Sequence, residues 1–373
     1  MTDAANSTSA PRGASASASR PTLAQVAKRA GVSASTASLA FSGAGPVSDE
    51  TKERVLTAAR ELDYGGPDPR ARSLRTGRSG IIAVVMEERI RDGFTDPMAI
   101  AMLDGIADEI GAAGYSMLLL TDSPDREVGG LRDAPMDAAI LFGCSTDLDP
   151  AVTVLGQRHV PLVGVETTAR DGMRLVNSDD RATVEASARH LAELGHQRVG
   201  LITLPLDRAR TRGPLTDDRL AASYAYTGLE RLAGARAVFP DAPAMVASGS
   251  LIDEGMHAAV ALLDQHPEIT AIMAQSDLLA IGAIQALEER GLSVPGELSV
   301  VGFDGARVDG LTTRTLTTVV QPIAEKGRAA ARLALGALAD ASEAELRDRV
   351  FASALRIGDT TGPVRRILTP STI

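Results

Sequence analysis

The sequence predicts an N-terminal all-α helix-turn-helix domain followed by an α/β core of two parallel-sheet subdomains. Three observations carry that prediction. Two short helical segments meet at Gly31 between Thr22 and Phe41, and from Ile81 onward apolar strand runs alternate with amphipathic helices in two successive series. Positive charge also gathers ahead of the alternation: ten Lys and Arg stand against six Asp and Glu from Arg20 to Arg78, in a chain whose net charge is −10. A small basic module therefore precedes a large acidic one.

The composition narrows the class. At 373 residues the chain is too long for one core, and a hydrophobic content of 44% is ample for several packed interiors. No apolar run approaches the roughly 18 residues a membrane span requires. Residues 1–20, rich in Ala, Ser and Thr without an apolar stretch, read as a disordered tail and not a secretory signal. The single cysteine, Cys144, excludes an internal disulfide framework and fits a reducing cytoplasm.

The first helix begins at a capping box, Thr22 with Gln25, and Leu23, Val26, Ala27 and Ala30 recur at helical spacing until Gly31 stops it. Ser33 is placed to cap a second helix with Val32, Ala37, Ala40 and Phe41 inward and Ala34, Ser35 and Ser38 outward. Any small helical hairpin shares this outline. Ser48 caps a third helix running to about Leu62, with Val55, Leu56, Ala59 and Leu62 on one side, which closes a domain over 21–66. Gly65, Gly66, Pro67 and Pro69 break the chain before RARSLRTGR in segment 67–78, a stretch too short to hold a helix alone. Taken by itself, this stretch reads first as a plain interdomain linker.

In the core, IIAVVM is a continuous apolar run, as expected of a strand buried on both faces, and Pro97 to Ala113 follows as a helix with Ile100, Leu103, Ile106 and Ile110 inward. YSMLLLT, DAAILFG, VPLVGV and RLVN complete a first sheet. From Asp180 a second series runs through RVGLITL, a weak strand near AMVAS, TAIMAQ and LSVVGF, with helices between. Ligands of such sheets sit beyond the carboxyl ends of the strands, so the residues just after each strand are the candidate contacts.

The chain resembles the LacI/GalR family of transcription regulators from Pro21 to about Asp359. The likeness rests on TLAQVAKRAGVSASTAS, VSDETKERVLTAARELDY, ARSLRTGR, HLAELGHQRVGLI, DRLA, SDLLAIGAIQALEERGLSVPGELSVVGFD and LTTVVQP with KGRAAARLAL, in that order and spacing. It implies a hinge helix over 67–78 and a periplasmic-binding-protein-like core over 79–373. The core would divide into an N-subdomain of about 79–177 and 319–344 and a C-subdomain of about 178–318 and 345–360, with crossings near Asn177, Thr318 and Glu345.

For DNA, the resemblance implies that Ala34, Ser35 and Leu39 face base edges in the major groove. Thr22, Ser33, Thr36, Ser38, Ser48, Thr51 and Tyr64 would meet phosphates, contacts that position without specifying sequence. Arg70, Ala71, Leu74 and Arg75 would form a minor-groove helix, with Leu74 as the apolar wedge. Leu39 stands where a basic residue is usual, so no bidentate base contact is available from these three positions. Asp68 replaces a customary Asn, and one residue is inserted before the hinge.

The matching effector positions are Glu87, Phe94, Arg219, Asp277 and Gln321, with Arg219 and Asp277 offered as a guanidinium and a carboxylate facing each other across the cleft. A cleft-closing salt bridge would use the same two residues. The implied ligand is a sugar, and an aromatic content of 3% leaves few stacking platforms for a purine. The expected partners are operator DNA, a small-molecule effector and a second copy of the chain in a homodimer, with no cofactor and no metal. No phosphate-cradling GxxxxGK[ST] or GxGxxG run and no GxSxG elbow is present, and His190 and His196 lie six apart instead of the four of a zinc helix. Those histidines read as surface or helix-end residues, Cys144 as a small buried one, and the chain as no enzyme. The competing reading is a solute-binding sensor that has lost DNA binding.

Overall fold

A computed structural model describes residues 21–364 apart from 44, 69–72, 75, 87–92, 122–128, 143–148, 208 and 309. It divides into two compact units, one ending at Arg78 and one beginning at Ser79.

In the first unit, α1 (Leu23–Ala30), α2 (Ala34–Ser42) and α3 (Asp49–Glu61) enclose a core of Val26, Ala27, Ala37, Ala40, Val55, Ala58 and Ala59. Small side chains suit a three-helix domain whose axes must pass closely. Each helix starts on a hydroxyl. Thr22 and Gln25 form a reciprocal capping box, Ser33 Oγ accepts from Thr36 N at 3.0 Å, and Ser48 Oγ accepts from Thr51 N at 3.3 Å. Gly31 ends α1 at φ 69°, a left-handed conformation that only glycine adopts without strain. Phe41 meets Tyr64 edge to face, with centroids 5.7 Å apart, and Arg29 pairs with Glu61 at 2.7 Å to join the ends of α1 and α3.

The second unit contains two sheets. The first has the order β12-β5-β4-β3-β1-β2, built from β1 (Ile81–Met86), β2 (Ser116–Thr121), β3 (Ala138–Phe142), β4 (Leu162–Val165), β5 (Met173–Ser178) and β12 (Arg349–Phe351), all parallel. One face is covered by α4 (Pro97–Ala112) and α12 (Ile323–Leu338), the other by α5 (Gly129–Asp133) and α6 (Asp149–Gln157). Burial on both faces explains the unbroken apolar runs of β1, β3 and β4.

The second sheet has the order β13-β11-β10-β9-β6-β8-β7, from β6 (Val199–Thr203), β7 (Gly213–Pro214), β8 (Ala244–Val246), β9 (Ala271–Ala274), β10 (Ser299–Asp304), β11 (Thr317–Val320) and β13 (Ala354–Arg356). α10 (Ile252–Gln265) and α11 (Asp277–Glu289) cover one face; α7 (Asp180–Glu193) and α9 (Tyr226–Arg236) cover the other, and α8 (Asp217–Ala221) lies between β7 and α9 in sequence. The two edge strands, β7 and β13, pair antiparallel, and the strands between them are parallel, as expected of a parallel-sheet subdomain.

The chain passes between the sheets after Ser178, after Val320 and after Phe351. The third passage lies beyond Glu345, because Arg349–Phe351 pairs with β5 before Ala354–Arg356 pairs with β11. One short segment thus supplies an edge strand to both sheets. Among the described residues no helix is long and apolar enough to cross a membrane.

Candidate functional site

Five residues at or just beyond the carboxyl ends of parallel strands take part in one polar cluster: Glu166 after β4, Ser178 ending β5, Gln275 after β9, Asp304 ending β10 and Gln321 after β11. Both sheets contribute, and the passages after β5 and β11 run through it. Lys326, in the first turn of α12 and 2% exposed, ion-pairs with Glu166 and donates to Ser178 Oγ at 2.9 Å and to Gln321 Oε1 at 2.7 Å. Gln321 Nε2 then donates to Asp304 Oδ1 at 2.8 Å. Arg231, on α9, stacks on Phe303 at 3.6 Å and donates to Asp180 Oδ2 at 2.8 Å and to the carbonyl of Gln275 at 2.6 Å, with Asp304 at 3.8 Å. A line of bonded side chains therefore joins the end of β4 to the end of β10.

Both ends of that line are strained. Glu166 has φ 55° and Asp304 has φ 115°, values that non-glycine residues rarely adopt and that persist where surrounding structure enforces them. Burial pushes the Asp304 carboxyl well above its ordinary value against the opposing pull of Arg231, with Asp277 and Asp96 adding repulsion. Asp277 is pushed up to about 6, also by burial, although Thr318 donates to Oδ1 at 2.5 Å and Ala306 N to Oδ2 at 2.7 Å.

The residues singled out from sequence fare differently. Gln321 lies inside the cluster. Asp277 is 1% exposed and has both oxygens bonded within its own subdomain, while the Arg219 guanidinium donates to the carbonyls of Thr211 and Gly213 and lies 3.8 Å from Asp207. The proposed facing pair of Arg219 and Asp277 is therefore not formed: each side chain is turned to partners nearer in its own fold. Phe94 is 56% exposed, and Glu87 lies outside the described residues. Glu166, Asp304, Arg231 and Lys326 were missed. The strand-end rule, applied evenly, finds Glu166 and Asp304; the two cations sit on helices and carry no such signal. His196 stands at the C-terminal end of α7, two residues past its cap, and is buried there: Nδ1 meets Thr270 Oγ1 at 2.9 Å, and Nε2 meets Ser299 Oγ and the Gly362 carbonyl at 3.0 Å. Cys144 lies outside the described residues.

In the helix-turn-helix, Thr22, Ala34, Ser35 and Ser48 are exposed, and Thr36, Ser38, Thr51 and Tyr64 are partly so. Ser33 Oγ bonds Ser35 Oγ and Thr36 Oγ1 at 2.8 Å each, so the hydroxyls at the start of α2 hold one another in place. Leu39 is 36% exposed and Leu74 88% exposed, whereas Arg70, Ala71 and Arg75 lie outside the described residues.

Comparison with known proteins decides the family. Residues 22–66 match the bacterial regulatory proteins of the lacI family, and residues 188–361 match the periplasmic binding protein-like domain. An HTH-type transcriptional regulator of Mycolicibacterium smegmatis is 37% identical over 84% of this chain and 90% of its own. The chain belongs to the LacI family of bacterial transcriptional regulators. The ribose operon repressor of Halalkalibacterium halodurans is 31% identical over 84% of this regulator and 88% of that protein. Among solved structures, a complex of the transcriptional regulator CelR with cellobiose superimposes at a TM-score of 0.66 with 26% identity, covering 91% of this chain and all of that one. Residues 22–66 of the regulator are thus its DNA-binding domain, and Arg231, Gln275, Asp304, Gln321 and Lys326 of the strand-end cluster fall within the periplasmic binding protein-like match.

Proposed function

We propose that the regulator is a homodimeric repressor of a palindromic operator, released or recruited by a sugar bound where the two core sheets converge. The observation that carries the effector site is the bonded line from Glu166 through Lys326 and Gln321 to Asp304, since it links the carboxyl ends of both sheets through a passage between them. A ligand that reorders this line changes how the subdomains are held. The repressor and cellobiose-bound relatives support the assignment of repression and of a carbohydrate.

On the DNA side, α2 presents Ala34, Ser35 and Leu39 to the major groove, and the hydroxyls of Thr22, Ser33, Thr36, Ser38, Ser48 and Thr51 with Tyr64 meet phosphate. Leu74, flanked by Arg70, Ala71 and Arg75, enters the minor groove and unstacks a base step. The core acts by binding without turnover, in the cytoplasm where its operator lies. Domain limits of 21–66, 67–78 and 79–373 follow. A footprint with purified protein tests the reading: one preferred two-fold site at moderate salt is expected, and sugar binding without any preferred site would leave a sensor that does not regulate.

A further inference from the structure

One carboxylate fixes the point at which the chain enters the α/β core. Asp137 stands between α5 and β3, and its Oδ1 accepts from Ser79 N at 2.7 Å and from Ser79 Oγ at 2.8 Å, while Oδ2 accepts from Gly80 N at 2.8 Å. Backbone bonds complete the hold: Asp137 N donates to the Ile81 carbonyl at 2.8 Å, and Ser116 N to the Gly80 carbonyl at 2.9 Å. Because β1 lies between β3 and β2, Ser79 and Gly80 are gripped from both neighbouring strands. Gly80 takes φ 73° there, a left-handed conformation that glycine adopts without strain. Ser79 is the first residue of the core unit, and only four residues separate it in sequence from Leu74. Just before it, Gly77 N donates to the Ser73 carbonyl at 2.8 Å and Arg78 N to Thr76 Oγ1 at 3.4 Å.

We infer that Asp137 is the positioning residue that sets which spacing of operator half-sites the regulator accepts. The inference rests on the reading of a homodimer on a palindrome given above. On a two-fold site each DNA-binding domain is tethered to its own core through Ser79, and freedom in that tether decides how far a half-site can be displaced and still be reached. One inserted base pair moves a half-site by about 3.4 Å and turns it by about 35°. Freeing Ser79 and Gly80 adds up to about 7 Å of reach to each chain, enough to absorb the displacement. With Asp137 in place those two residues cannot give, so a displaced half-site is met only by deforming the DNA. A carboxylate that merely closed the corner of the sheet would contribute to stability and leave the spacing preference untouched.

The test begins with the duplex that the full-length regulator recovers from a random-sequence pool. That duplex is rebuilt with its half-sites one and two base pairs closer together and farther apart, and as a single half-site. Wild type is expected to lose at least about tenfold in affinity for each one-base-pair change. Asp137→Ala should bind the single half-site within about twofold of wild type, while its loss for a one-base-pair change shrinks to about threefold or less. Asp137→Asn, which keeps an acceptor for Ser79 but not for Gly80, should fall between the two. A folded Asp137→Ala protein with a spacing profile as steep as that of wild type overturns the inference, whatever its Tm, and leaves the palindrome reading standing; a flat wild-type profile over the paired sites does the same. If Asp137→Ala does not fold, Asp137→Asn decides: a relaxed profile supports the inference, and the wild-type profile overturns it. A wild-type protein that binds the single half-site as tightly as any pair removes the reading of a homodimer on a palindrome, and the inference with it.

Discussion

Lys326 carries its charge among Glu166, Ser178 and Gln321 with water excluded, so its worth depends on all three partners remaining. Lys326→Met should destabilise the core by about 3–5 kcal/mol, chiefly through the carboxylate it abandons, and adding Glu166→Leu should recover most of the loss. Urea midpoints of the two variants check this. In the DNA-binding domain the expectation concerns discrimination. Ser35 is a short side chain already bonded to Ser33, whereas Leu74 is an exposed leucine with an apolar wedge's chemistry. Leu74→Ala should therefore reduce the ratio of operator to non-operator binding more than Ser35→Ala does, and the opposite order in a competition gel shift would reject the wedge. Asp277 and Asp304 show how far sequence carries at this scale. Asp304 ends β10 and Asp277 opens α11 shortly after β9, and local pattern cannot say which carboxylate turns back toward Thr318 and the Ala306 amide and which joins Gln321 and Arg231. That choice is made by contacts between residues distant in the chain.

Two helix pairs close against the sheets through reciprocal glycines. A methyl group added at Gly282 would fall on the Ile252 carbonyl and one at Gly255 on the Leu279 carbonyl, which brings α10 and α11 together; Gly105 and Gly327 do the same for α4 and α12 against Ala324 and Met102. Gly282→Ala and Gly105→Ala should each cost about 1–3 kcal/mol of overpacking, seen as a lower Tm without loss of secondary structure. A different fastening holds the stretch after Asp359. Val300 N donates to the Thr360 carbonyl at 2.8 Å, Val364 N to Leu194 at 3.0 Å, and His196 meets Gly362. Burial lowers the pKa of His196 below its ordinary 6.5, partly opposed by its bond to the Gly362 backbone and deepened by repulsion from His190. The unfolded chain therefore takes up a proton that the fold does not, and stability falls as pH drops below about 6.5. Hydrogen exchange at Gly362 and Val364, corrected for intrinsic rate, should quicken between pH 7.5 and 5.5, and His196→Gln should flatten that dependence. Helix starts were legible because Thr22, Ser33 and Ser48 carry their own capping chemistry. β12 and β13 were not, since three residues each, in a stretch where Val350 and Ile357 face solvent, give no alternation to read.

For the molecule as a whole, the division into a basic helical module and an acidic α/β core was visible in the charge distribution and the change from hydroxyl-capped helices to strand runs at Ile81. The positions of the passages between sheets were harder, because they depend on which strands pair, and pairing is non-local. Linkage gives a prediction at this scale. If a sugar alters operator affinity, operator must alter sugar affinity by the same factor. Operator affinity measured with and without a sugar that stabilises the regulator, and the affinity for that sugar measured with and without operator, should change by one factor at matched salt; unequal factors would reveal a further equilibrium coupled to one of the two measurements.

The order in which the chain visits its sheets also bears on how the protein is made. Ile82, Val84, Ile140 and Val163 of the first sheet are sealed by Ala330, Leu333 and Ala334 of α12, which is translated only after β6–β11 of the second sheet. At ribosomal rates of about 5–20 residues per second, that apolar face stays half covered for on the order of ten seconds. The subdomain begun first waits for its covering helix until most of the second has been translated, so a nascent chain of this regulator offers molecular chaperones a defined, long-lived hydrophobic target during synthesis.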